Sequence, residues 1–225
     1  YLVNDLKMDF QVICGVSTGA LNASMLSQGK GYEGLKEKLE ELKNIWFGIR
    51  KDSDIYKKGI KIDFPRIVSL YDLSPLKDKL DEHINPKDLK SSGKEFRIGV
   101  VSLNTGEYTS VDSQQSAVRD FILASASIPF FFPPVEIKRH LFVDGGVTEI
   151  TPLADALSAL KRLRISDSRL ETDEIYIVIA SPLKIRKVKG SDANNILEIL
   201  KRSVEILVSE IYEDDIKHAE EVNEY

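Results

Sequence analysis

A short segment near the start of the chain has the residue types and spacing of a serine nucleophile. Gly15-Val-Ser17-Thr-Gly19 fits the pattern G-x-S-x-G, in which a serine occupies a sharp turn between a strand and a helix. Small residues two positions before and after the serine let strand and helix approach closely, and we expect the tightest packing at Gly19. The apolar run 9–14 predicts the strand, and the residues from Thr18 predict the helix. An ordinary strand-to-helix turn without chemistry is the alternative interpretation.

A serine nucleophile needs a base, and Asp144 is the best candidate. It ends an apolar strand in Phe142-Val-Asp144-Gly-Gly146, where two glycines let another chain approach, although ordinary turns also select Asp-Gly-Gly. The order Ser17, Asp144, His218 also matches the triad of α/β-hydrolases. Because His218 lies among acidic residues typical of a solvated helix face, we expect Asp144 itself to be the base.

The composition limits the classes of function. The 225 residues include 36 acidic and 31 basic side chains, a net charge of -5, which disfavours nucleic acid as a partner and broad attraction to anionic membranes. Three histidines and one cysteine cannot form the usual four-ligand zinc sites, so we expect no metal and no cofactor. With one cysteine and no secretory signal at the start, we expect a cytoplasmic protein whose contact with membrane surfaces is transient, local and apolar.

The remaining periodic segments predict an α/β domain. We expect a hairpin of 96–103 with 108–111, short strands at 135–137 and 141–143, and a buried strand at 174–180. Helices are expected at 35–49, from 74, at 114–126, 151–163 and 193–219, and a surface loop at 50–65. Strands that alternate with helices predict three layers, in which a largely parallel sheet has helices on both faces.

At these residues the sequence resembles the patatin-like phospholipase family. Three segments carry the resemblance in the family's order: Gly15 to Ala23, Ala124 to Pro129 with its continuation to Pro134, and Asp144-Gly-Gly146. The resemblance implies a patatin-like fold and a serine lipid acyl hydrolase of the phospholipase A or esterase type, which cleaves carboxylic esters of membrane lipids. It implies a Ser-Asp dyad of Ser17 and Asp144, with turn and oxyanion support from Gly15, Thr18, Gly19, Gly145 and Gly146.

One family element is not found in the sequence. The family carries a glycine-rich loop before the nucleophile strand, whose amides hold the oxyanion, and residues 1–16 contain no glycine cluster. The sequence also does not begin with methionine. We therefore expect residues 1–225 to be a single patatin-like acyl hydrolase domain that lacks its N-terminal strand and this loop, both of which lie upstream. The alternative is a non-catalytic patatin-fold module that binds a lipid or a protein partner.

Overall fold

The computed structural model describes residues 1–63, 66–166, 174–180, 187 and 195–223. The strands in these ranges are β1 (Val12–Gly15), β2 (Lys57–Asp63), β3 (Arg66–Asp72), β4 (Glu95–Ser102), β5 (Tyr108–Asp112), β6 (Val135–Ile137) and β7 (His140–Asp144). The helices are α1 (Thr18–Leu26), α2 (Gly31–Gly48), α3 (Ser74–His83), α4 (Pro86–Ser91), α5 (Val118–Ser125), α6 (Leu153–Ser166) and α7 (Ile196–Asn223). None of the described helices is long and apolar enough to span a membrane.

The main sheet is organised around β4. β5 pairs with Arg97–Val101 along one edge of this strand. The other edge is shared, because β1 pairs with Glu95–Ile98 and β7 pairs with Val100–Ser102. β1 runs parallel to β4 and β7 runs antiparallel to it, so both strands end beside Gly99. The residues that follow these two strands therefore meet at one point.

The described strand pairs of the main sheet include both parallel and antiparallel directions. β1 and β4 are parallel, whereas the β4–β5, β4–β7 and β6–β7 pairs are antiparallel. Tight turns join β4 to β5 and β6 to β7, and a strand that follows a tight turn must run back along its neighbour. The α/β class, with helices on the sheet, is confirmed.

Helices cover both faces of this sheet. On one face, alternate residues of β4 pack against α1 and α5, and Phe96, Ile98 and Val100 are completely or almost completely buried there. On the other face, the hydroxyl group of Tyr108 in β5 donates a hydrogen bond of 2.9 Å to Asp155 in α6. The expected three layers are therefore present.

Two of the predicted elements differ from the structure. The segment 50–65 was expected to be a surface loop, yet β2 lies in its second half and pairs antiparallel with β3, which follows this segment. The lysines of β2 hide the alternation of apolar residues by which a strand is recognised in a sequence. The predicted buried strand at 174–180 is wrong, because these residues are not in a strand and Val178 is 83% exposed. An apolar run makes burial favourable, but a strand also needs a paired neighbour, and none pairs with this run among the described residues.

The close contact between β1 and α1 lies at Gly15, whereas the sequence predicted it at Gly19. A Cβ atom on Gly15 would overlap the carbonyl group of Gly19, while a Cβ on Gly19 would have no atom within 4 Å. The backbone carbonyl group of Gly19 is thus the atom group that Gly15 contacts. A side chain on Gly19 itself would point into open space.

Replacement of these two glycines tests the packing of the turn. We expect Gly15→Ala to lower the free energy of unfolding by about 1–3 kcal/mol, since the added methyl group meets rigid backbone. Gly19→Ala is the matched control and should leave stability unchanged or raise it by up to about 1 kcal/mol, because alanine favours the helix. Urea denaturation measures both. Equal stabilities of the two variants would show that β1 and α1 do not meet at Gly15.

Candidate active site

Ser17 lies on a strained turn between β1 and α1. Its backbone angles are φ 57° and ψ -127°, a region that a residue with a side chain rarely adopts and that costs about 1–3 kcal/mol. The turn is closed by hydrogen bonds from the Gly19 amide to the Val16 carbonyl (2.8 Å) and from the Ala20 amide to the Ser17 carbonyl (3.0 Å). The strain presents the hydroxyl group at the helix N-terminus, as the sequence pattern predicts.

A second, buried serine holds this turn against the sheet. The Ser17 amide donates to Oγ of Ser125 (3.1 Å), and this hydroxyl donates to the carbonyl oxygen of Gly99 (2.7 Å). Ser125 ends α5 and is completely buried. Because its hydroxyl both accepts and donates, it connects the nucleophile turn to the centre of β4. Ser125 lies in one of the segments that carry the family resemblance, but the sequence assigns it no role. A serine at the end of a helix is too common for this hydrogen bond to be predicted from the sequence.

Asp144 is the last residue of β7 and is only 3% exposed. Its amide donates to the carbonyl oxygen of Ser127 (3.1 Å), which fixes the strand end, and its Oδ1 accepts a hydrogen bond from the Gly146 amide (2.8 Å). Oδ2 is buried and has no hydrogen-bond partner of normal length among the described residues. One carboxylate oxygen is thus anchored and the other is available to a neighbouring group.

Burial raises the pKa of Asp144 from 3.8 to about 6. The loss of water around the carboxylate is the main cause, because it destabilises the charged form. The hydroxyl group of Ser17 and the amide of Gly146 act in the opposite direction, because both stabilise the charged carboxylate. The Ser17 hydroxyl is therefore close enough to Asp144 to lower the pKa of its carboxyl group. The geometry of the two side chains is not that of a hydrogen bond.

A glycine is required by space at position 145, and there is little room for a side chain at Gly146. A Cβ atom on Gly145 would lie 2.6 Å from the carbonyl oxygen of Gly99, so this position admits no side chain next to β4. A Cβ on Gly146 would lie 3.1 Å from Oδ1 of Asp144. Thr18 is the first residue of α1, and its amide lies at the positive end of the helix dipole. The residues of the expected dyad and of its turn and oxyanion support thus lie at or directly after the ends of β1 and β7.

α7 contacts the chain just beyond Asp144, a feature that the sequence did not predict. Oδ2 of Asp215 accepts hydrogen bonds from the amides of Ile150 (3.0 Å) and Thr151 (2.7 Å). Nearby, burial and repulsion from Asp155 and Asp215 raise the pKa of Glu149 to about 7. His218 lies in α7, three residues after Asp215, but its side chain is outside the described residues.

The geometry defines an α/β protein with a serine turn next to a buried carboxylate. In the ranges that the structure describes, no group of three or more His, Cys, Asp or Glu residues could hold a metal ion. The family model of the patatin-like phospholipases matches residues 2–157. The chain therefore belongs to the patatin-like phospholipase family, a family of lipid acyl hydrolases. A comparison with curated proteins found no match.

The raised pKa of Asp144 predicts a pH dependence of stability. The native carboxyl group binds its proton more tightly than the unfolded one, so the native state gains stability as the pH falls from above 6 towards 4. Relative to Asp144→Asn, which does not titrate, we expect the wild type to gain up to about 3 kcal/mol between about pH 7.5 and about pH 4. Urea unfolding at several pH values measures this difference.

Other titrating groups do not affect this comparison. Glu149, whose pKa is also raised, is present in both proteins, and its contribution cancels in the difference. A difference in unfolding free energy that does not change with pH would contradict the buried, titrating carboxylate.

Proposed function

We propose that this protein is a serine acyl hydrolase that cleaves carboxylic ester bonds of membrane lipids, with Ser17 as nucleophile and Asp144 as base. The observation that carries the proposal is the pairing of a strained serine turn with a buried carboxylate whose Oδ2 has no other partner among the described residues. Membership of the patatin-like phospholipase family supports the same reaction. A base whose pKa is about 6 is largely ionised at neutral pH and can accept a proton.

The proposed reaction gives each of these positions a role. Oγ of Ser17 attacks the ester carbonyl carbon, and its proton passes to Asp144. The oxyanion that forms accepts a hydrogen bond from the Thr18 amide and is stabilised by the N-terminus of α1. When the C–O bond breaks, the leaving alcohol takes the proton from Asp144.

Water completes the cycle. It attacks the carbonyl carbon of the acyl-serine while Asp144 accepts one of its protons. The ester bond to Ser17 then breaks, the fatty acid leaves, and the proton returns to Oγ of Ser17. Residues 1–225 act in this proposal as one acyl hydrolase domain.

The neighbouring cysteine is a poor candidate for the nucleophile. Burial raises the pKa of Cys14 to about 12, with a smaller contribution from Asp155. The reactive form of cysteine is the thiolate, so at neutral pH this side chain remains a protonated thiol. The alternative of a non-catalytic binding module is tested directly by a fluorophosphonate probe on the full-length protein. An adduct at Ser17 supports the hydrolase, and an unlabelled folded protein supports the module.

The first kinetic prediction concerns the nucleophile. Ser17→Ala should lower the hydrolysis of short p-nitrophenyl esters by at least about a thousandfold, while the melting temperature stays close to that of the wild type because one oxygen atom is removed. Ser110→Ala, an exposed serine of β5, is the matched control and should keep full activity. Substantial turnover by purified Ser17→Ala would overturn the assignment of the nucleophile.

The second kinetic prediction distinguishes the dyad from a triad. Asp144→Asn removes proton transfer and should lower kcat about a hundredfold to ten-thousandfold. His218→Ala should stay within a few-fold of the wild type if Asp144 is the base. If His218 takes the proton and Asp144 only orients it, both substitutions should be severe. If the His218→Ala protein is folded but inactive, the catalytic residues would form a triad that includes His218, and the dyad assignment would be wrong.

A further inference from the structure

Three large aromatic side chains are exposed, two near the end of α2 and one in the chain after α5. Trp46 and Phe47 near the end of α2 are 39% and 67% exposed, and Phe130 is 59% exposed. Phe130 has a φ of 72°, a left-handed conformation that is uncommon for a bulky residue. Exposed apolar side chains bordered by polar ones mark surfaces that meet a partner or a membrane, and aromatic rings suit the boundary between apolar and wet surroundings.

Basic side chains follow directly after the first two aromatic residues. The segment 50–58 contains four basic and two acidic residues in a chain whose net charge is -5. Arg50, Lys51, Lys57 and Lys58 are exposed, and no ion pair engages their side chains within the described residues. One of the two acids, Asp54, is already occupied by the backbone amides of Arg50 (2.9 Å) and Lys51 (3.2 Å).

Ring contacts and backbone hydrogen bonds join the basic segment to Phe130. Tyr56 packs against Tyr71 and Phe132, with ring centroids 4.8 and 5.7 Å apart. The carbonyl groups of Phe130 and Phe131 accept hydrogen bonds from β3, from the amides of Leu70 (3.2 Å) and Tyr71 (2.9 Å). The backbone that carries the exposed ring of Phe130 is therefore held by the same hairpin that carries Lys57 and Lys58.

The lysines also shape the surface. Lys51, Lys57 and Lys58 line an open depression of about 740 Å³ together with Asp52, Ser53 and Tyr56. Neither Ser17 nor Asp144 is among the lining residues, so the depression is separate from the proposed ester-cleaving site. A shallow, basic depression suits the negatively charged headgroup of a lipid.

This surface lies near the proposed dyad. The carbonyl group of Ser127 accepts a hydrogen bond from the amide of Asp144, and Phe130 follows only three residues later. Three residues span at most about 10 Å. A membrane that contacts Phe130 would therefore lie close to the residues proposed to cleave its lipids.

We propose that Trp46, Phe47, the segment 50–58 and Phe130 form an aromatic-basic surface that binds membranes containing anionic lipids. The inference deepens the proposed function and rests on it for the fate of the bound lipid. The aromatic rings enter the headgroup region and the lysines and arginine pair with anionic headgroups, a combination typical of interfacial binding. The net charge of -5 restricts this attraction to the local surface.

Vesicle binding by the Ser17→Ala protein tests the proposal without hydrolysis of the vesicles. This variant of the full chain should sediment with phosphatidylcholine vesicles that contain phosphatidylserine, and much less with vesicles of phosphatidylcholine alone. Adding Lys57→Gln and Lys58→Gln should lower the partition coefficient about tenfold or more, and added salt should weaken the binding of the parent. Equal binding to both kinds of vesicle would overturn the anionic preference.

Matched controls separate the surface from general effects. Lys87→Gln with Lys90→Gln removes the same charge from exposed positions of α4 and should bind like the parent. Phe130→Asn, which suits the left-handed backbone, should reduce binding, whereas Leu103→Asn removes an exposed apolar side chain elsewhere and should not. If the test and control variants lose vesicle binding to the same extent, the proposed binding surface is wrong.

The binding experiment is independent of the catalytic assignment. Vesicle binding without any ester hydrolysis by the wild type would leave the surface supported and the proposed hydrolase refuted. Ester hydrolysis by the wild type without vesicle binding by Ser17→Ala would refute the surface alone. Thermal melting of each variant confirms that a loss of binding does not reflect unfolding.

Discussion

The site depends on one constraint, which is that two strands share one edge of β4 and end on either side of Gly99. β1 brings Ser17 from one direction and β7 brings Asp144 from the other. The Gly99 carbonyl accepts the hydrogen bond of Ser125 and leaves no space for a side chain on Gly145. The same backbone group therefore fixes the distance of both turns from the sheet.

Two unfavourable features at this point are compensated by the surrounding structure. The positive φ of Ser17 costs about 1–3 kcal/mol, and the buried carboxylate of Asp144 costs a similar amount when it is ionised. Neither would persist in an isolated turn. Ser125, which is fully buried, and the packed face of β4 against α1 and α5 hold both groups in place. The turn cannot relax to a less strained conformation, because a change in its backbone would disrupt the packing of the surrounding core.

Local features of the site could be predicted from the sequence, and long-range ones could not. The strand, serine turn and helix around Ser17 follow from small residues at fixed spacing, and the hairpin of β4 and β5 follows from alternation around a glycine-containing turn. The shared edge of β4 arises from pairing between residues at least 40 positions apart, for which periodicity carries no information. The same limitation explains the wrong strand at 174–180, since hydrophobicity indicates what can be buried and does not name the neighbour.

Burial of Asp144 has a consequence for how its role can be recognised. An ordinary aspartate ionises well below a histidine, so the pH dependence of the rate would normally distinguish a carboxylate base from an imidazole. Here burial moves the pKa of Asp144 to about 6, next to the value of about 6.5 for an unperturbed histidine. The two bases would then lose activity over nearly the same pH range. The identity of the base follows from which side chain can reach the hydroxyl of Ser17, and the meeting of β1 and β7 beside Gly99 favours the carboxylate.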